Sequence, residues 1–157
     1  MLVEFRVKNF RSLRDEQVLS LVASNDKTLI DSHALMTGLN AVPALLRSAV
    51  VYGANASGKS NLIKAMQFMR GVVTESATIM QPAQAFNVQP FRLNSESNHQ
   101  PTEFEITFML QGVRYQYGFS LTSLVFSVNI CWFIKLLSHS DGLTVTWIRK
   151  IHYASHA

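Results

Sequence analysis

The chain is poor in cysteine and in charge. Its 157 residues include one cysteine, Cys131, which excludes an intrachain disulfide framework and a thiolate metal cluster and favours a reducing, cytoplasmic compartment. Charged residues make up 15% of the chain and hydrophobic residues 48%, a balance typical of a globular protein rather than a disordered one. At this length we expect one domain or part of one.

The sequence also lacks the segments that direct a chain to a membrane. Residues 1–8 alternate charged with apolar side chains, unlike a secretory signal. The uncharged stretch 124–134 has eleven residues, well short of the ~20 that span a bilayer. Basic residues form no stripe, because residues 1–122 hold 11 basic and 9 acidic groups. We therefore expect no membrane partner, and charge alone gives little support for nucleic-acid binding.

What the sequence does contain is a phosphate-binding loop motif. Residues 53–60 match the pattern G-x-x-x-x-G-K-[ST] at every fixed position. The apolar run at residues 49–52 predicts a strand that enters the loop, and the spacing of apolar residues from Leu62 to Val73 predicts a helix that leaves it. Backbone N–H groups and the positive end of such a helix favour a bound polyanion. The sequence therefore predicts a nucleoside triphosphate as ligand, the alternative being a chance match in a glycine-containing turn.

The fixed positions of the motif have separate chemical duties. Gly53 and Gly58 let phosphate oxygens approach the main chain closely. Lys59, the predicted catalytic residue, brings a mobile positive charge to the β- and γ-phosphates, and the Ser60 hydroxyl is the predicted Mg²⁺ ligand. The predicted nucleotide contacts are the whole loop and the residue after it: Gly53, Ala54, Asn55, Ala56, Ser57, Gly58, Lys59, Ser60 and Asn61.

Period-two alternation predicts two antiparallel hairpins. Residues 2–8 and 16–22 form the first, and residues 103–110 and 113–121, on either side of Gln111-Gly112, form the second. The aromatic residues of the second hairpin are expected in a sheet core rather than on a base-stacking surface. Residues 34–36 and 44–46 are compatible with short helical turns. Residues 74–100 are polar and predict a surface loop broken by a short helix.

These motifs together resemble AAA-family ATP-binding proteins with an ABC-type ATPase head, related to RecF, SMC and OLD-family proteins. The resemblance covers residues 1 to about 122. It depends on the turn Asn9-Phe10-Arg11-Ser12, on the loop through Leu62, and on the segments 90–93 and 115–119. It implies an α/β phosphate-loop NTPase fold with an amino-terminal antiparallel hairpin, a loop strand and helix, and a second antiparallel hairpin. Late placement of the loop strand argues against nucleotide kinases and small GTPases.

The same resemblance implies ligands and partners. It implies ATP and Mg²⁺, and a head-to-head homodimer around two ATP molecules, often in DNA repair or in bacterial and phage defence, so DNA is a partner by analogy only. It also implies that Arg11 and Ser12 contact phosphate opposite Lys59, the alternative being a solvated turn. Ala56 stands where such heads more often carry glycine. Gln84 and Gln89 are both candidates for a glutamine that senses Mg²⁺.

Two elements of a complete head are absent from the sequence. No acidic residue follows an apolar strand after the loop, and no Ser-Gly-rich signature segment opens a helix. Composition also shifts at residue 123, so we interpret residues 1–122 as the amino-terminal part of an ATPase domain and residues 123–157 as an atypical tail left by truncation or frameshift. The alternative is a divergent closing strand pair, Val125 to Leu137 and Leu143 to Ile148.

Three functions remain open from the sequence. The chain belongs to an ATP-hydrolysing head, or it binds nucleotide without turnover, or, less favoured, it is a phosphate-loop kinase. The missing acidic element favours nucleotide binding with little turnover by this chain alone.

Overall fold

The computed structural model describes residues 1–26, 28–78, 88–124, 127–137 and 144–154. Within them the chain forms eight strands, two α-helices and one 3-10 helix. The strands are β1 (Leu2–Lys8), β2 (Gln17–Ser20), β3 (Ala34–Leu39), β4 (Val42–Leu46), β5 (Thr102–Leu110), β6 (Val113–Leu124), β7 (Ser127–Leu137) and β8 (Thr144–Ala154). The helices are α1 (Ile30–His33) and α2 (Lys59–Thr78), and the 3-10 helix spans Ser97–His99.

Six strands form one antiparallel sheet in the order β2-β1-β5-β6-β7-β8. Both predicted hairpins are confirmed: β1 pairs with β2, and β5 pairs with β6 in register from Thr102–Leu121 to Leu110–Val113. Gln111 and Gly112 have φ angles of 51° and 76°, the left-handed pair that a two-residue hairpin turn requires. The sequence signal and the turn geometry therefore agree.

Helix α2 packs on one face of this sheet and closes the main core. Its buried positions Ala65, Met69 and Val72 recur at the spacing of one helical face, as expected for an amphipathic helix. On the sheet side Phe5, Phe104 and other buried apolar residues meet them. The predicted loop helix is confirmed, and it continues to Thr78, past the predicted start of a loop at residue 74. No proline follows until residue 82, so the sequence holds no strong breaker there.

The predicted helical turns at residues 34–36 and 44–46 are wrong. Those residues lie in β3 and β4, which pair as a separate two-stranded sheet. A register shift between Met36 and Leu39, next to Gly38 at φ 76°, interrupts the period-two alternation that would have revealed the strands. Val42 and Leu45 nevertheless bury against Val3, so this hairpin has its own small core.

The predicted strand at residues 49–52 does not form. These residues belong to no strand, and the side chains of Val50 and Tyr52 are 83% and 90% exposed. A strand that feeds a phosphate loop is normally buried in a parallel sheet, with a neighbour on each side. Every described strand pair of this chain is antiparallel, and none includes residues 49–52. The segment lacks the pairing that would make it a strand.

The tail contributes backbone pairing to the same sheet. Strand β7 pairs with β6 from Arg114–Leu137 to Leu124–Ser127, and β8 pairs with β7 along its length. These are the two strands of the alternative interpretation, with β8 ending at Ala154 instead of Ile148. Val125 and Leu143, where that interpretation placed the strand starts, lie outside the described residues.

Candidate functional site

The loop at residues 53–60 wraps around the ammonium of its own lysine. Lys59 Nζ donates to the carbonyl oxygens of Gly53 at 2.8 Å and Ala54 at 2.6 Å, and lies 3.3 Å from Ser57 Oγ. Lys59 is also the first residue of α2, so the positive charge stands at the helix N-terminus. A helix dipole repels a cation at that end. The lysine is thus held by loop carbonyls in a place where an anion would be more stable.

Gly58 makes a close approach possible between the loop and the turn at residues 9–14. Its φ is 92°, in the range that favours glycine, and a Cβ there would lie 3.2 Å from Leu13 Cδ2 and 3.4 Å from Ser12 Oγ. Its carbonyl accepts from the amides of Asn61 and Leu62 at 2.8 and 3.1 Å, which begins the helix. The second fixed glycine of the motif therefore has a steric reason and a conformational one.

Ala56 carries backbone strain. Its φ of 64° is left-handed, a conformation that costs an L-residue with a β-carbon about 1–2 kcal/mol and costs glycine nothing. The sequence singled out this position because similar heads more often have glycine there. The structure supplies the physical reason for that preference.

We therefore expect Ala56→Gly to stabilise the protein. Relief of the left-handed strain exceeds the entropy that glycine adds to the unfolded chain, which leaves a net gain of about 0.5–1 kcal/mol. Urea unfolding measures it as a higher midpoint with an unchanged slope. Ala54→Gly is the matched control, since Ala54 lies in the same loop without a positive φ; it should lower the midpoint. A lower midpoint for Ala56→Gly as well would contradict this account of the loop.

The structure brings the Arg11-Ser12 turn to the loop. Asn61 Nδ2 donates to Ser12 Oγ at 2.6 Å, which joins the turn to the first turn of α2. The Arg11 amide donates to the Gln89 carbonyl at 2.8 Å, and the Arg11 guanidinium lies 5.6 Å from the Phe10 ring centroid. Arg11 Nε is buried and makes no hydrogen bond among the described residues. A buried guanidinium N–H without an acceptor is costly, and a bound ligand is one explanation for it.

One of the two candidate glutamines can be placed. The main chain of Gln89 adjoins the Arg11 turn through its carbonyl oxygen. Gln84 lies outside the described residues.

The donors available to a Mg²⁺ ion near the loop are few. Ser60 is exposed in the first turn of α2 and offers one hydroxyl oxygen. Across the described residues, no group of three or more His, Cys, Asp or Glu side chains is arranged to hold a metal ion. Mg²⁺ usually keeps several waters and binds through one or two protein oxygens together with substrate phosphates. The residues present therefore fit an ion that arrives with a phosphate ligand.

The acidic residues of strands β1 and β5 form ion pairs away from the loop. Arg6 Nε lies 2.5 Å from Glu4 Oε1 and 3.7 Å from Glu105 Oε1. The hydrogen bond to Glu4 is the main reason why the pKa of Arg6 lies above its ordinary value. Lys8 lies 4.0 Å from Glu103. In β1 these charged positions alternate with the buried residues that pack towards α2, so they point to the other face of the sheet.

A large apolar groove lies elsewhere. It encloses about 730 Å³ between α2 and the sheet, and its lining includes Phe5, Met66, Phe108 and Tyr115. None of residues 53–60 lines it. A groove with apolar walls is a poor binding site for a triphosphate, because the phosphates need several polar and charged groups around them. The candidate site is therefore the loop and its adjoining turn.

The described elements form a mixed α/β domain with antiparallel sheets, and the phosphate-loop motif directly precedes and enters its long helix. Residues 48–149 match the family model described as "AAA domain, putative AbiEii toxin, Type IV TA system", and the match covers more than half of the chain. The chain belongs to this family, and the resemblance to AAA-family proteins with an ABC-type ATPase head is confirmed. A comparison with curated proteins finds no match.

The family match and the sequence resemblance overlap from residue 48 to about residue 122 and differ at both ends. The match begins just before the loop and does not include the Arg11-Ser12 turn, and it extends past residue 122 into β8. In the parts of the chain that the structure describes, no helix is both long and apolar enough to cross a bilayer.

Proposed function

We propose that this chain binds Mg-ATP at the loop formed by residues 53–60. The observation that supports it most is the Lys59 ammonium, which is already inside the loop at the N-terminus of a 20-residue helix. A triphosphate there accepts from loop amides and from the lysine, and the bonds from Lys59 to the two loop carbonyls give way to bonds to phosphate. Ser60 supplies a hydroxyl oxygen to the Mg²⁺ ion that accompanies the phosphates.

Arg11 and Ser12 form the second side of the proposed site. The Ser12 hydroxyl is joined to Asn61 next to the loop, and the buried Nε of Arg11 lacks an acceptor among the described residues. In this proposal the Arg11 side chain turns out towards the loop when the nucleotide binds, and a phosphate oxygen then satisfies that donor with a charge-assisted bond. The middle of the loop contributes main-chain groups to the proposed phosphate contacts, because its side chains are small or exposed. These residues are Ala54, Asn55, Ala56 and Ser57.

We also propose that this chain alone binds Mg-ATP but hydrolyses it inefficiently. Phosphoryl transfer to water needs a group that orients the attacking water, together with charges that stabilise the transition state. After the loop, Glu103 and Glu105 approach Lys8 and Arg6 instead of the loop. Hydrolysis belongs, in this proposal, to the complete head, which dimerises head to head and acts in a DNA-related or defence process. The family's description, which names a putative AbiEii toxin and a Type IV TA system, is compatible with the defence role.

A thermal shift experiment tests the ligand. At 100 times its dissociation constant, Mg-ATP stabilises the folded state by about 2.7 kcal/mol, which corresponds to roughly 5–10 °C for a chain of this size. Mg²⁺ alone should give no shift. Equal shifts with Mg-GTP would retain phosphate binding and remove the preference for adenine. An unchanged melting temperature at millimolar Mg-ATP would exclude the proposed ligand.

Steady-state phosphate release separates binding from turnover. We expect release close to the rate without protein. Robust release that disappears in Lys59→Ala would show instead that this chain is a complete ATPase, and transfer of the γ-phosphate to a small acceptor would favour the kinase alternative.

A further inference from the structure

We infer that Asn9 is a positioning residue for the nucleotide site, acting through the turn at residues 9–14. This inference rests on the function proposed above. Asn9 is 1% exposed, and its φ of 55° is left-handed, a conformation that asparagine tolerates better than most residues. It directly follows strand β1, which ends at Lys8, and it precedes the residues that adjoin the loop.

The Asn9 side chain uses both of its amide atoms. Its Nδ2 donates to the carbonyl oxygens of Ser97 at 2.8 Å and Gln100 at 2.9 Å, with a longer contact of 3.4 Å to that of Pro101. Its Oδ1 accepts from the Phe91 amide at 3.0 Å. One buried side chain therefore holds the segment 91–101, more than eighty residues further along the chain.

The main chain of Asn9 is held as well. Its carbonyl accepts from Thr102 Oγ1 at 2.8 Å, and its amide donates to the Arg14 carbonyl at 3.1 Å. Phe10 and Leu13 exchange two backbone hydrogen bonds of 2.8 Å each inside the turn. The turn is thus closed on itself and tied at its base to the start of β5.

The other end of the turn meets the proposed site. Ser12 Oγ accepts from Asn61 Nδ2 in the first turn of α2, while the Arg11 amide donates to the carbonyl of Gln89, which lies outside the loop. The Asn9 network therefore fixes the direction in which Arg11 and Ser12 are presented to the loop. Small displacements of binding groups weaken charge-assisted bonds steeply, so a loosened turn should bind phosphate less well.

The competing explanation is that Asn9 only stabilises the fold. Phe10, 2% exposed, already anchors the turn in the core, with its ring centroid 5.5 Å from that of Phe104 and 5.7 Å from that of Phe68. If that anchor is sufficient, loss of the Asn9 side chain lowers stability and leaves nucleotide affinity unchanged. The two explanations therefore differ in a measurable quantity.

The test compares Asn9→Gly with wild type. Glycine keeps the left-handed backbone and deletes every side-chain bond. In calorimetric titration of Mg-ATP at a temperature where the variant is folded, we expect affinity to fall about tenfold. In a background that already carries Arg11→Ala and Ser12→Ala, the same change should alter affinity by less than about twofold, because the groups it positions are gone.

Two further readouts separate positioning from stability. Hydrogen exchange should become faster at the amides of Arg11 and Phe91 in Asn9→Gly, while amides in the middle of α2 stay protected. Val42→Ala is the matched control, since it destabilises the small core around Val3 and Leu45 without contacting the turn. It should leave Mg-ATP affinity at the wild-type value.

Each outcome decides. Wild-type affinity in Asn9→Gly overturns the inference, whether or not exchange at Arg11 becomes faster, and leaves the proposed function standing. Absence of Mg-ATP binding by the wild type removes the proposed function and this inference with it. If Asn9→Gly does not fold, Thr102→Val takes its place: it removes only the donor to the Asn9 carbonyl and should weaken binding about threefold, and unchanged affinity there also overturns the inference.

Discussion

Lys59→Ala should weaken Mg-ATP binding by at least about 100-fold, equivalent to about 2.7 kcal/mol. The ammonium is the one mobile cation that the loop itself carries, and in the proposed complex it moves from the carbonyls of Gly53 and Ala54 to phosphate oxygens. Its present bonds are exposed and it opposes the helix dipole, so its removal should change the free energy of unfolding by less than about 0.5 kcal/mol. Affinity and stability are thereby separated in one variant.

Lys64→Ala is the control for this change. Lys64 is exposed in the same helix and its removal changes the net charge equally. Calorimetric titration should give the wild-type dissociation constant for it. If Lys59→Ala and Lys64→Ala bind Mg-ATP equally well, the loop lysine does not hold the nucleotide and the proposed site is wrong.

Phe104→Ala should have the largest effect on stability, a loss of about 3–5 kcal/mol. Phe104 is 2% exposed, and its ring lies 5.5 Å from Phe10, 5.3 Å from Phe68 and 5.2 Å from Phe119, measured between centroids. Truncation opens a cavity that four elements line, namely β5, β6, α2 and the turn after β1. Since domains of this kind are stable by about 5–15 kcal/mol, chemical denaturation will register the loss easily.

Leu110→Ala provides the comparison within the same strand. Leu110 ends β5 and its side chain is 55% exposed, so its truncation should cost less than about 1 kcal/mol. Similar losses for the two variants would mean that the aromatic cluster is not the centre of the core.

The sequence predicted those parts of the fold whose signals are local. The hairpin at Gln111-Gly112 combines period-two alternation with a turn dipeptide, and α2 combines a helical apolar face with the loop motif before it. Strands β3 and β4 were not predicted from the sequence. The register shift next to Gly38 breaks the alternation of apolar and polar residues in β3, and Pro43 in β4 is a residue that normally interrupts a strand. Local patterns fail where the pairing itself is irregular.

The strand at residues 49–52 failed for a different reason. Its apolar composition is correct for a buried strand, but a strand exists only with a neighbour, and the described strands offer it none. An apolar composition indicates that a segment prefers to be buried, but it does not show whether a neighbouring strand is available to pair with it.

The sequence predicted the loop motif of the candidate site, but it did not predict how residues from distant segments contact that loop. The fixed positions of the loop follow from phosphate chemistry, and the structure places Ser12 within 2.6 Å of Asn61 at its edge. Asn9 belonged to a motif that carried the family resemblance, but the sequence did not reveal what its side chain and carbonyl bind, because those partners lie 82 to 93 residues away. Long-range polar networks of this kind emerge only when the fold brings their members together.

Backbone amide spectra recorded during a Mg-ATP titration test the central claim most directly. The account predicts that the largest shifts fall on the amides of residues 53–61, with smaller ones at Arg11 and Ser12, and that the distant turn at Gln111-Gly112 stays unchanged. A folded protein whose loop amides do not move at saturating Mg-ATP, or whose shifts cluster in the apolar groove instead, would contradict it.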